Sequence, residues 1–169
     1  MITALVRAAH GTDALAATLS ALVSAVAEGL VGDAVVLAAP DDADAMRIAD
    51  AVGAQFVALE SGQDPWRRGA GYARREWVLC LDAGDVPSEG WIRAVERFIA
   101  ASPPERRLGR FPRRGHTLAE ALRLRWRAAA AGGRVQAGDV VRRAVLLDGG
   151  RVTRPARIAA SIERDPVFG

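Results

Sequence analysis

Lysine is absent from this chain of 169 residues, so all 23 basic residues are arginine. A genomic composition bias is the simplest interpretation, and a functional signal is the alternative. Cysteine occurs once, at Cys80, and a single cysteine excludes an internal disulfide. Because Cys80 lies inside an apolar run, we expect its side chain to be a small part of the core. An unpaired cysteine is consistent with the reducing cytoplasm.

Apolar runs of membrane-spanning length are also missing. A transmembrane helix needs roughly 20 apolar residues, whereas Asp13, Glu28 and Asp33 interrupt the alanine-rich N-terminal third. The chain does not start with a basic stretch followed by an apolar core and a cleavage site, so we do not expect secretion. These absences predict a cytoplasmic protein, with peripheral attachment to a membrane as the alternative.

The charge is unevenly distributed along the chain. Residues 1–102 contain 8 arginines against 14 acidic residues, and residues 103–169 contain 15 arginines against 6. This asymmetry suggests that the second half faces phosphate groups, a membrane surface or nucleic acid. An arginine-rich solvated surface explains it equally well. Nucleic acid is the least favoured partner, because no aromatic stacking pattern accompanies the arginines.

Short apolar runs alternate with helical patterns along the first hundred residues. The runs at 2–8, 34–39, 55–59 and 76–81 have the length of buried strands. Strands that are apolar on both faces and alternate with helices are typical of a parallel sheet covered by helices on both sides. With half of its residues hydrophobic, the chain has enough apolar material for one α/β domain.

The second half has weaker patterns. Residues 107–111 predict an edge strand with its polar residues outward. Thr117 and Glu120 have the spacing of a capping box, which predicts a helix from there to Gly132. Residues 155–164 predict a basic helix.

Two carboxylates, Asp82 and Asp85, follow the fourth predicted strand directly, and we name residues 82–85 the acidic turn. In open α/β sheets ligands bind outside the carboxyl ends of the strands. Paired carboxylates at that position are the hard oxygen ligands that Mg²⁺ or Mn²⁺ prefers. The alternative is a solvated turn in which Asp82 caps local backbone amides.

The stretch around the acidic turn resembles the centre of the family 2 glycosyltransferases, which have the GT-A fold. Their pattern is approximately R-N-x-G-x-x-x-A-x-G-[ED]-[WY]-h-h-h-h-D-A-D-[DT]-x-x-x-x-G-W, where h is apolar. The matching positions here are Gly69, Ala73, Glu76, Trp77, the run 78–81, Asp82, Ala83, Asp85, Gly90 and Trp91. The departures are Trp66-Arg67 in place of the Arg-Asn pair and Gly84 in place of the second acid. That second acid is the usual metal contact of the family, so Asp85 has to take over its role here.

The resemblance implies a GT-A three-layer sandwich with a mostly parallel central sheet. It also implies transfer of a sugar from a nucleotide-diphosphate sugar donor with the help of a divalent cation, Mg²⁺ or Mn²⁺. The implied nucleotide contacts are Asp41, Asp42, Arg67, Gly69 and Asp82. The implied metal ligands are Asp82 and Asp85.

A second, looser match to the family covers residues 138–143 and precedes a short helix that ends in Gly149-Gly150. The family's Glu-Asp catalytic base is missing after Gly150, which leaves Asp139 as the candidate base. The resemblance covers about residues 1–150. It implies a single domain with a nucleotide-binding half (1–102), an acceptor-side half (103–150) and a basic tail (151–169).

Two functions follow from the resemblance. The first is sugar transfer, for which an anionic lipid or a membrane surface is a candidate acceptor. The second is an inactive GT-A-like scaffold that docks an anionic partner through its arginine-rich half, because a fold alone does not fix an activity.

Overall fold

The computed structural model describes residues 1–103, 108–114, 133–149 and 155–164. The strands are β1 (Ile2–Arg7), β2 (Val31–Ala38), β3 (Gln55–Ala58), β4 (Trp77–Asp82), β5 (Asp85–Pro87), β6 (Leu108–Arg110), β7 (Arg113–Arg114), β8 (Asp139–Arg142), β9 (Ala156–Arg157) and β10 (Ile162–Arg164). The helices are α1 (Thr12–Ala27), α2 (Ala43–Ala51), α3 (Pro65–Ala70), α4 (Trp91–Ala100) and α5 (Arg143–Leu147).

The main sheet has seven strands in the order β3-β2-β1-β4-β8-β6-β9. The first four strands of the chain are parallel to one another in this sheet, whereas β8 is antiparallel to both β4 and β6. The sheet takes strands from all three predicted segments of the chain. The fold class is therefore the predicted α/β class with a mostly parallel central sheet.

Two apolar clusters cover the two faces of this sheet and make three layers. Residues of α1, α2 and α4 pack on one face, against side chains such as Val6 and Leu81. Residues of α3 and α5 pack on the other face, against side chains such as Leu5 and Cys80. Since side chains alternate along a strand, Arg7 and Asp82 lie on the same face as α3.

The four predicted N-terminal strands are confirmed, and all but one of their ends lie within one residue of the predicted ends. Strand β2 begins at Val31, three residues before its predicted start. Gly32 therefore lies inside the strand. Gly29, with a φ of 78°, follows the end of α1 in the left-handed conformation that favours glycine.

The prediction of a helix over residues 155–164 is wrong. Strand β9 pairs with β6, and β10 pairs with both β5 and β7. Backbone pairing with strands distant in sequence outweighs the local helical pattern here, because isolated short helices are marginal in water. Strands of the predicted basic tail, β9 and β10, therefore belong to two sheets.

The predicted edge strand is present but is not at the edge. Strand β6 lies between β8 and β9, and its Arg110 turns inward to a carboxylate instead of outward. The predicted helix from Thr117 to Gly132 lies outside the described residues. Within the described ranges, no helix is long and apolar enough to cross a bilayer.

Candidate functional site

The acidic turn lies where the parallel strands of the main sheet end, at what we name the carboxyl edge. Arg7 ends β1 and Asp82 ends β4, and the two residues are partners in the parallel register. Asp85 begins β5, which belongs to a second sheet of order β5-β10-β7. The turn thus connects the main sheet to a small sheet built partly from residues 162–164.

Gly84 stands where the pattern of the resembled family has its second acid, and its φ of 89° is in the region that L side chains rarely adopt. Its amide donates to the Thr18 hydroxyl over 2.9 Å, and that hydroxyl donates to the Asp85 carbonyl over 3.1 Å. The Gly84 amide also donates to the Ala14 carbonyl over 3.0 Å. Thr18 is fully buried and, like Ala14, belongs to α1, so these contacts fix the turn to the helix.

Thr18→Val should lower the free energy of unfolding by about 1–3 kcal/mol, because it removes two buried hydrogen bonds of the hydroxyl, each worth about 0.5–1.5 kcal/mol. The Gly84 amide keeps the Ala14 carbonyl as an acceptor. Thr18→Ser is the matched control, since it keeps the hydroxyl, and it should avoid most of the loss. Urea unfolding followed by circular dichroism measures both variants. A loss in Thr18→Ser with none in Thr18→Val would show that the methyl group, and not the hydroxyl, matters at this position.

Asp85 is fully buried and forms a bidentate ion pair with Arg113. The two guanidinium nitrogens of Arg113 donate to the two carboxylate oxygens over 2.9 and 2.8 Å. The amide of Asp82 donates to Oδ2 of Asp85 over 2.9 Å. The expected amide cap of the turn therefore exists, but its acceptor is Asp85 and its donor is Asp82.

Asp82 forms the second bidentate pair, with Arg7. Nε and Nη2 of Arg7 donate to the two carboxylate oxygens over 2.8 and 2.9 Å. The guanidinium carbon of Arg7 lies 5.6 Å from the centre of the Trp66 ring, within the range of a cation–π contact. Trp66 is in α3, so the pair is held between the sheet and that helix.

Asp139, the candidate base, forms the third bidentate pair. Nε and Nη2 of Arg110 donate to its carboxylate over 2.6 and 2.8 Å, and the Gln136 amide donates over 2.9 Å. Burial raises the pKa of Asp139, while the hydrogen bond and charge of Arg110 oppose that rise. The carboxylate is fully buried, so in this arrangement no face of it is open to an acceptor hydroxyl.

Asp139 lies close to the acidic turn although it comes from another part of the chain. It is the register partner of Cys80 in the antiparallel pair of β8 and β4. The pKa of the Cys80 thiol is raised well above its usual range, by burial first and then by the charges of Asp139, Asp64 and Asp82. The predicted core role of Cys80 fits its complete burial. The thiol is therefore not a nucleophile.

The remaining predicted contacts are distributed around the same edge. Asp41 is exposed, and Asp42 caps α2 by accepting from the Ala45 amide over 2.9 Å. Arg67 is exposed in α3. Gly69 is buried against the sheet, where a Cβ would come within 2.9 Å of a Leu5 methyl carbon, so its evident role is close packing. Ligand binding by these residues stays a prediction.

A cavity with a volume of about 500 Å³ lies on the outer side of α3. Its lining residues are Gln63, Asp64, Arg67, Arg68, Gly71 and Tyr72. The Arg68 guanidinium lies 5.2 Å from the centre of the Tyr72 ring. A second cavity lies beside α2, and neither of these two is lined by Asp82 or Asp85.

The two predicted metal ligands do not fit a divalent cation in this arrangement. Every carboxylate oxygen of Asp82 and Asp85 already accepts a guanidinium N–H. A Mg²⁺ ion needs oxygen ligands at about 2.0–2.1 Å in an octahedral set. Among the described residues, no group of three or more His, Cys, Asp or Glu side chains could hold a metal ion.

Sequence reasoning missed the three arginines that pair with the acids. Arg7 carried a signal, because it is the one charged residue in the first apolar run and ends a strand beside that of Asp82. Arg110 and Arg113 carried none, since their partners depend on the register of β6, β7 and β8. The two partners are 28 residues apart in the Asp85–Arg113 pair and 29 residues apart in the Arg110–Asp139 pair.

Comparisons with known proteins bear on the fold. No protein-family model and no curated protein matches the chain. Glucosyl-3-phosphoglycerate synthase from Mycobacterium tuberculosis, in complex with Mn²⁺, UDP and glucosyl-3-phosphoglycerate, is similar with a TM-score of 0.60 and 16% identity, over 86% of this chain and 57% of that one. The complex of that synthase with Mn²⁺, UDP-glucose and phosphoglyceric acid gives 0.61 and 17%, over 85% and 57%.

A third complex of the same synthase, with Mg²⁺ and UDP, gives a TM-score of 0.59 and 17% identity, over 85% of this chain and 57% of that one. The chain therefore spans a little more than half the length of these structures. At such low identities the likeness concerns the fold. The chain has the GT-A glycosyltransferase fold.

Proposed function

We propose that the chain is a glycosyltransferase of the family 2 type, which takes a sugar from a nucleoside-diphosphate sugar. The observation that carries the proposal is the set of charged pairs at the carboxyl edge of a GT-A sheet. Arg7, Asp82, Asp139 and Arg110 lie on the α3 face of that edge. Ligands of open α/β sheets bind at this position.

The proposed reaction needs arginines to stabilise the leaving diphosphate and a carboxylate to accept the proton of the acceptor hydroxyl. The bond between the sugar C1 and the diphosphate oxygen breaks, and its electron pair stays on the diphosphate. Arginine side chains at the edge stabilise the charge that develops there. The acceptor hydroxyl bonds to C1 and loses its proton to a base. Asp139 is the candidate base, and it has to leave its pair with Arg110 to act.

The similar synthase structures contain Mn²⁺ or Mg²⁺ together with UDP. In this chain arginines engage Asp82 and Asp85, so the proposed transfer does not depend on such an ion. The cytoplasmic location and an acceptor on an anionic membrane surface are further parts of the proposal. The excess of arginine over acidic residues in positions 103–169 supports the anionic acceptor, and the single cysteine, Cys80, supports a reducing cytoplasm.

A thermal-shift screen of uridine, guanosine and adenosine diphosphate sugars tests the proposal. A donor at roughly 100 times its Kd should raise the Tm by about 5–10 °C, because it binds the native state alone. Inorganic phosphate at the same concentration is the control for a nonspecific anion effect. The donor that raises the Tm is then incubated with the protein, and release of the nucleoside diphosphate is followed by chromatography.

The second candidate function is an inactive scaffold, and a specific observation favours it. Asp139 is buried and paired, so a base is not presented to an acceptor. If none of the donors shifts the Tm, the transferase proposal fails and the scaffold takes its place. If a donor binds but no nucleoside diphosphate is released, the fold has kept donor binding and lost the chemistry.

A further inference from the structure

In the three ion pairs of the carboxyl edge, the arginine is always the more exposed partner. The side chain of Arg7 is 39% exposed and that of Asp82 is 10% exposed. Arg110 is 20% and Arg113 is 21% exposed, while their partners Asp139 and Asp85 are fully buried. The surface of the edge therefore presents guanidinium groups to a ligand, and the carboxylates lie beneath them.

This order of charges has opposite consequences for cations and anions. A divalent cation meets guanidinium groups first and has to displace one from a buried carboxylate. Breaking such a pair leaves an uncompensated charge in a poorly solvated position, which is strongly unfavourable. An anion meets hydrogen-bond donors in a planar arrangement that matches phosphate oxygens.

The neighbouring part of α3 adds to the cationic surface. Arg7 stacks near Trp66 of this helix, and the next two residues, Arg67 and Arg68, line the 500 Å³ cavity. Asp64 is the acid of that cavity, and it is engaged as the N-cap of α3 by accepting from the Trp66 and Arg67 amides. Arginines therefore occur both at the edge and on the outer side of α3.

We infer that the chain binds the diphosphate group of a nucleoside diphosphate directly through arginine, without a divalent cation. This inference rests on the proposed function and specifies how its donor is held. Arg7 is the central residue, because it is the most exposed of the three paired arginines and lies against Trp66 of α3. The acidic turn then orients the arginines and does not bind an ion.

Calorimetric titration with UDP tests the inference under two conditions. One titration contains about 5 mM Mn²⁺, which is enough to saturate a typical site, and the other contains about 5 mM EDTA, which removes divalent cations. We expect the Kd in EDTA to equal that in Mn²⁺ within about threefold, or to be lower, since a free cation competes with the arginines for the diphosphate. Arg7→Gln should raise the Kd about tenfold or more under both conditions, as expected for loss of a charge-assisted contact.

Arg93→Gln is the matched control, because it removes the same charge from the exposed face of α4. Its Kd should equal that of the parent. Arg7→Gln leaves the Asp82 carboxylate without this partner, so the double variant Arg7→Gln/Asp82→Asn is measured in parallel. Circular dichroism confirms that each variant is folded, and the double variant should show the same loss of UDP affinity.

Manganese binding is measured separately by electron paramagnetic resonance of free Mn²⁺. The protein should not lower the free-ion signal, and protein with UDP should lower it no more than UDP alone. UDP binding that needs Mn²⁺, or an Mn²⁺ signal loss that Asp82→Asn abolishes, overturns the inference and leaves the proposed function standing. Absence of binding under both conditions, for UDP and also for GDP and ADP titrated in the same way, overturns both.

Discussion

Asp85→Asn should lower the free energy of unfolding by about 3–5 kcal/mol, because it removes one partner of a buried ion pair and leaves the other charge uncompensated. The carboxylate is fully buried, and it accepts two hydrogen bonds from Arg113 and one from the Asp82 amide. The pair also connects β5 with β7, the two outer strands of the small sheet. The loss should therefore appear in the cooperative unfolding of the whole described fold.

Urea unfolding of four proteins measures this effect: the parent, Asp85→Asn, Arg113→Met and the double variant. The double variant should be more stable than the sum of the two single losses predicts, by about 1–3 kcal/mol, since the partners interact directly. Asp44→Asn is the matched control in an exposed pair with Arg47, whose side chains are 61% and 72% exposed. Its effect should stay within about 0.5 kcal/mol. An equally small effect of Asp85→Asn, together with a loss of Mn²⁺ affinity, would return Asp85 to the role of a metal ligand.

Asp139→Asn should lower the free energy of unfolding by about 2–4 kcal/mol, because an amide nitrogen replaces one of the two oxygens that accept from Arg110 and the Gln136 amide, and buried donors lose their acceptor. If Asp139 acted purely as a catalytic base, Asp139→Asn would leave the stability unchanged and lower the transfer rate by orders of magnitude. The comparison therefore separates a structural from a catalytic role. Replacing both partners, as Asp139→Leu/Arg110→Met, should recover much of the stability if the volume is well filled.

The pH dependence of stability provides a second measurement on the same carboxyl group. Burial raises its pKa in the folded state above the unfolded value. The folded state therefore holds the proton more tightly, and stability falls as the pH rises from the unfolded value of about 3.9 through the raised folded pKa. The Asp139→Asn variant lacks this titrating carboxyl group. Its stability should therefore decline less than that of the parent as the pH rises between the unfolded and the folded pKa. A steeper decline in the variant would contradict the assigned direction.

The fold could be predicted from the sequence because its first four strands are apolar on both faces. Runs such as 76–81 are too short for buried helices and too apolar for loops, and they alternate with helical spacing. The position of Asp82 at the carboxyl edge follows from the same pattern, since the residue after a parallel strand lies at that edge. The small strands β9 and β10 could not be predicted, because residues 155–164 have a helical pattern that long-range pairing overrides, and the two residues of β7 are too few to carry a strand pattern.

The chemistry of the site was less accessible to sequence reasoning than its position. Asp82, Asp85 and Asp139 were identified as candidates from their spacing and from the family resemblance. Their arginine partners are set by side-chain packing and by the pairing of strands from distant parts of the chain. Two acids three residues apart predict a cation site when their surroundings are unknown, and they predict a buried ion-pair network once the arginines are placed over them.

Gly84 connects these observations to the departure from the family pattern. A glycine with a φ of 89° lets the turn close onto Thr18, so that Asp85 points into the small sheet and meets Arg113. The loss of the second acid and the appearance of the ion pair are then two parts of one local structure. A chain with this turn can keep the GT-A fold while holding an anionic donor by arginine alone.

Diffraction from crystals grown with UDP and Mn²⁺, with data collected at the manganese absorption edge, tests the central claim most directly. The account predicts density for the diphosphate within hydrogen-bond distance of the Arg7 guanidinium, and no anomalous peak beside the acidic turn. The ion pairs of Asp82 and Asp85 should remain as they are without ligand. An anomalous peak within about 2.5 Å of a carboxylate oxygen of Asp82 or Asp85, with the arginine displaced, would contradict the account.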